Sequence, residues 1–155
     1  MQPRLDANRI APDGYKAMSG LQAYVNGCGL EASLLELVKI RASQINGCAF
    51  CLQMHLEDAR KMHVDEAKLN LVVAWREAPV FSERERAALA WTEALTLLPQ
   101  GVSDEVYAEA RAAFSDQELA DLSTAVIAIN AWNRLGVGYR FTPIVHEMPA
   151  KQKAS

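Results

Sequence analysis

Residues 31–61 read "EASLLELVKIRASQINGCAFCLQMHLEDARK". Apolar residues at Leu34, Leu37, Val38, Ala42 and Ile45 recur at helical spacing, so 31–45 is expected to be a half-buried helix. Asn46-Gly47 should end it, because these residue types commonly close helices. Cys48 should open a second helix running to about Met62. On that helix Cys48, Cys51 and His55 stand three and four residues apart, on one face, with Cβ atoms about 5–6 Å from their neighbours. Glu36, Ile40 and Ser43 share one face of the first helix, and the turn could fold that face back towards the cysteines.

The same reading extends outward. "YKAMSGLQAYVNG" (15–27) is a moderately apolar helix, followed by a glycine-flanked turn around Cys28. Asp65 can cap a helix to about Glu77, before Pro79. Ser82 with Glu85, and Ser115 with Glu118, have the spacing of capping boxes. The first box opens a helix to Leu98; the second opens "LADLSTAVIAINAWNRL" (119–135), apolar nearly all round and expected to be central. No segment sustains a period of two with β-branched residues. The expected fold class is all-α: an extended N-terminal arm over 1–14, one helical domain over 15–142 and a C-terminal tail over 143–155.

A chain of 155 residues is about one domain and can bury a full core without a disulfide or metal. Net charge is −3, with no basic run, so neither nucleic acid nor an anionic membrane is an expected partner. The N-terminus lacks the pattern of a secretory signal, and no apolar run approaches the ~20 residues of a membrane span. A cytoplasmic, reducing location is expected. There a Cys-x-x-Cys more often binds metal or does redox chemistry than forms a structural bridge.

The residues by themselves leave zinc binding and redox chemistry both open. Two cysteines and a histidine are good zinc ligands, and Cys28 could supply a fourth, although three ligands on one helical segment make a poor structural site. For redox chemistry the placement is favourable. Unpaired N–H groups at a helix N-terminus stabilise a thiolate, the nucleophilic form of cysteine. His55, one turn beyond Cys51, could exchange a proton with it. A carboxylate from Glu36 near His55 would fix the imidazole tautomer.

The arrangement Glu36-x11-Cys48-x2-Cys51-x3-His55, preceded by "INGC", closely resembles the active-site signature of the alkylhydroperoxidase AhpD-like branch of the carboxymuconolactone decarboxylase superfamily. "AINAWNRLGVGYRF" (128–141) is similar to that family too, and the resemblance covers roughly residues 15–142. It implies an AhpD-like helical bundle that assembles as a homo-oligomer, trimeric or hexameric. It also implies reduction of an alkyl hydroperoxide by a catalytic Cys51, with Cys48 as the resolving thiol, Glu36 and His55 as proton relay, and a Cys48–Cys51 disulfide as the oxidised product. No cofactor and no metal are implied; the reductant would be a dithiol or lipoyl-type partner. The lactone decarboxylases of the superfamily generally lack the cysteine pair. One departure is Phe50, where the best-known AhpD enzymes carry a histidine. In thioredoxin-like motifs the first cysteine is the usual attacker, whereas the spacing to His55 favours Cys51. The alternative function is a thiol–disulfide switch with little turnover.

Other residues have plainer readings. Glu36 alone would be a helix charge paired with Lys39. Cys28 reads as a small loop or buried residue, and His63 as a local cap or solvated; His146 in the tail has no role. Trp75, Trp91 and Trp132 read as core or interface anchors, and the helix ending in Trp132-Asn133 could wall the site. The N-terminal arm could cross a neighbouring subunit or remain unstructured.

Overall fold

A computed structural model describes residues 2–144. Among them the chain is all-α: α1 (Ala7–Ile10), α2 (Pro12–Gly27), α3 (Ala32–Asn46), α4 (Ala49–Lys61), α5 (Glu66–Leu71), α6 (Glu83–Thr96), α7 (Asp104–Ala113) and α8 (Asp116–Tyr139), with short 3-10 turns at Val72–Ala74 and Leu98–Gln100. No strand occurs among the described residues. Among the described residues no helix is long and apolar enough to cross a membrane.

α3 is the hub and packs against α4, α6 and α8. Leu34, Leu35 and Val38 join a core with Leu122, Ala125 and Val126 of α8 and with Ala88 and Trp91 of α6. On its other side Leu37 and Ile40 meet Leu69, Val72, Trp75 and Leu89. A small third cluster joins Ala42, Cys48, Cys51 and Ile129, so the cysteine pair is wedged between α3 and α8. Both capping boxes form, with Ser82 bonding the Glu85 amide and Ser115 that of Glu118. Asp65 caps α5 through the Ala67 amide.

Three expectations change. The segment 1–14 is not wholly extended: Asp6 caps a helical turn, and α2 begins at Pro12, whose fixed φ suits a first helical position. Arg4 donates backbone and side-chain bonds to the carbonyls of Tyr139 and Gly138, at 2.9 and 3.2 Å, which ties the segment to the end of α8. The helix expected to reach Glu77 ends at Leu71. Arg86 gathers the carbonyls of Trp75, Arg76 and Ala78, while the Trp75 indole donates to Glu93. These partners hold 72–78 in tighter turns. Finally, α7 was not singled out in the sequence, although Ser103 caps it ahead of Asp104 and Glu105. The C-terminal tail beyond Ile144, including His146, lies outside the described residues.

Candidate active site

The turn at 46–48 is fixed by backbone chemistry. Gly47 adopts φ 66°, the left-handed conformation that ends a helix. Its amide donates to Gln44 O at 3.3 Å, and that of Cys48 to Ser43 O at 3.0 Å, which is the Schellman pattern. Cys48 is at once the residue that closes α3 and the N-cap of α4. Its Sγ accepts from the Cys51 amide at 3.4 Å. The Cys48 and Cys51 Cα atoms are 5.4 Å apart, within the disulfide range, and the two sulfurs are paired. Both residues are buried, at 2% and 3% exposure.

α8 holds this turn from two sides. The Asn46 amide donates to Asn130 and Asn133, both at 3.0 Å, and Asn133 donates to Ser43 Oγ at 3.0 Å. One turn beyond Asn133, Gly136 faces the sulfurs, where a Cβ would lie 2.7 Å from Cys48 Sγ and 3.4 Å from Cys51 Sγ.

α3 and α4 bring the expected acid and base together. His55 Nδ1 lies 2.8 Å from Glu36 Oε2, and Lys39 Nζ donates to Glu36 Oε1 at 2.8 Å. Glu36, Lys39 and His55 are all buried. Burial pushes the Glu36 carboxyl up, but the His55 hydrogen bond and the charges of His55 and Lys39 outweigh it and leave the group below the usual carboxylate range.

Cys51 and His55, one turn apart on α4, line one cavity of about 500 Å³ with Glu36 and Lys39. Its walls are mainly apolar and include Tyr15, Phe50, Met54, Trp132 and Phe141; Cys48 is not among the lining residues. Phe50 packs edge-on against Phe141 at 5.5 Å between centroids, and Tyr15 likewise against Trp132 at 5.2 Å. Trp132 therefore does wall the cavity, whereas Trp75 and Trp91 bond Glu93 and Ser123 in the core. Cys28 packs in the separate core formed by α2, α3, α6, α7 and α8. The exposed His63 closes α4 with φ 58°.

Glu36, His55 and Asp58 place donor atoms within 4.8 Å of one another. Both Glu36 oxygens are already engaged and one faces an ammonium, so this donor set suits proton transfer better than a cation. Lys39, Asn133 and Gly136 were missed as site residues. Lys39 was visible only as an i+3 helix partner, Asn133 only as the end of a helix that could wall the site, and Gly136 only as part of "AINAWNRLGVGYRF".

The fold and the paired cysteines together define an AhpD-like all-helical protein. A family model for the carboxymuconolactone decarboxylase family matches residues 12–94, and the chain belongs to that family. It is 39% identical over 138 residues to the uncharacterized protein YdfG of Bacillus subtilis (strain 168), covering 88% of this chain and 94% of that one. The structure of ATU0492 from Agrobacterium tumefaciens, a protein of unknown function with the working description of an AhpD antioxidant defence protein, superposes with a TM-score of 0.91 at 40% identity, over 94% of this chain and all of that one. The debrominase Bmp8 shares the fold alone, with a TM-score of 0.79 at 21% identity over 86% of this chain and 72% of its own.

Proposed function

We propose that the protein is a thiol-dependent peroxidase for alkyl hydroperoxides. One observation carries the reading: the apolar cavity is lined by Cys51 and His55 but not by Cys48. Cys51 is then the attacking sulfur and Cys48 the resolving one. His55 takes the Cys51 proton, oriented by Glu36. The thiolate attacks the terminal oxygen of ROOH, giving Cys51 sulfenic acid and an alkoxide that takes the proton from His55 to leave as ROH. Cys48 attacks the sulfenic sulfur, the disulfide forms, and hydroxide leaves with the Cys48 proton as water. A dithiol of small-molecule or lipoyl type returns both thiols and is itself oxidised. The working form is a homo-oligomer in the reducing cytoplasm; the exposed Tyr24 of α2 and Ile127 and Val137 of α8 support burial against further copies.

The test is one equivalent of cumene hydroperoxide on reduced protein, with thiol alkylation and mass mapping. The expected product is a Cys48–Cys51 linkage with Cys28 still alkylated, and Cys51→Ser should abolish turnover. A Cys51→Ser variant with near-full activity would sink the assignment. Oxidation of the pair without steady-state turnover on a supplied dithiol would favour the switch reading instead.

A further inference from the structure

The reaction as written leaves Lys39 without a task, yet its environment is unusual. Lysine is almost never fully buried unless paired, and Lys39 is only 6% exposed. Its one acceptor is Glu36 Oε1, the oxygen that His55 does not use. The three groups form a line of charge from ammonium to carboxylate to imidazole, at 2.8 Å for each step. No other lysine or arginine lines the cavity among the described residues. On α3 the next cation, Arg41, is turned away to Glu93 at 2.7 Å. On α4 the groups facing the pair are Cys51 and Asp58, and Asp58 is held by Lys61 at 2.8 Å. α2 contributes Tyr15, and α8 the indole of Trp132.

We propose that Lys39 is a positioning residue of the proton relay: its ammonium holds Glu36 as a carboxylate, so that His55 keeps its proton on Nδ1 and offers Nε2 to Cys51. This rests on the reading of His55 as the proton partner of Cys51. A buried carboxylate facing only an imidazole has one way to balance its charge, which is to keep the imidazole protonated. A second cation on the opposite oxygen removes that need. The relay can then give up its proton and still hold its geometry.

The test needs no peroxide. Reduced full-length protein is alkylated with iodoacetamide from about pH 5 to 9, the range in which an imidazole titrates, and labelling of Cys51 is followed by mass spectrometry. In Lys39→Met the acid limb of the rate profile should move up by about one pH unit, as loss of one close charge implies. Below both limbs Cys51 should then react about ten-fold more slowly. Lys39→Arg should keep the limb in place. A Lys39→Met profile that superimposes on the parent, or an arginine variant that shifts equally, would overturn the proposal. Should the methionine variant not fold, nitrogen-15 spectra of the parent still decide. In the neutral ring the proton is expected on Nδ1, and a neutral ring with its proton on Nε2 would refute the role. Shifted alkylation in a protein inert to hydroperoxides would keep this inference and remove the peroxidase reading.

Discussion

Gly136 leaves the space that Cys48 fills: a Cβ at 136 would stand 2.7 Å from the Cys48 sulfur. Gly136→Ala must therefore displace either α8 or the sulfur. We expect a loss of about 1–3 kcal/mol of stability, as for overpacking in a filled core, and slower closure of the Cys48–Cys51 link. Denaturant titration and a stopped-flow oxidation trace check both. A variant as stable and as fast as the parent would show that the seam yields at little cost.

Asn133 acts on the same turn through hydrogen bonds. Asn133→Leu removes one of the two acceptors for Asn46, in a part-buried bond, and the donor to the buried Ser43. Leaving buried polar groups unpaired costs about 1–3 kcal/mol. With the turn loosened, the reaction proposed above predicts that sulfenic acid at Cys51 outlives capture by Cys48. Dimedone trapping under excess peroxide should therefore give more adduct than in the parent.

Acid should weaken the fold through its paired carboxylates. Glu36 and Glu93 are buried, which raises their pKa values. Their partners outweigh this: His55 and Lys39 for Glu36, and Arg76, Trp75 and Arg41 for Glu93. The backbone amide of Ser115, then Arg84, hold half-buried Glu118 at about 2. Each folded value lies below the unfolded one, so the stability is present above the usual 4.5 and is lost as pH falls through the folded values. Urea midpoints should drop steadily from about pH 4.5 towards 2. Glu36→Gln should flatten part of that slope; an unchanged slope would mean Glu36 titrates as it does in the unfolded chain.

Phe50 stands where the resemblance to AhpD enzymes implies a histidine, and it packs on Phe141. Phe50→His should raise the rate with cumene hydroperoxide, towards the ~100-fold that a placed acid–base group supplies. It should also cost about 0.5–1.5 kcal/mol through the lost ring pair. Turnover assays on both proteins check this, and no gain would mean the single relay suffices.

Much of this molecule was legible in the chain because its signals are local. The capping boxes, the Asn46-Gly47 stop and the Cys48–Cys51–His55 spacing act over a few residues, and each element formed as they indicate. What escaped depends on distant partners. The helix ending at Leu71 stops early because Arg86 and Glu93 compete for the segment that follows. Lys39 reads as a surface charge until the fold buries it beside the Glu36–His55 pair. The value of Gly136 exists only once α8 lies against the sulfurs, and no period within α8 announces it.

Cys48 ends one helix and begins the next, and that double duty limits how the gene can vary. Glu36 and His55, nineteen positions apart, meet only because the rotation of α3 and of α4 is counted from this single residue. Inserting one residue into either helix between them would turn everything beyond it by about 100° and swing one partner off its face. Substitutions along the cavity wall can reshape what binds there, but a frame of fixed length has no such freedom. Insertions and deletions among relatives should therefore cluster in the connections at 62–65, 75–82 and 97–103, and the stretch from 36 to 55 should keep its length even where its letters change.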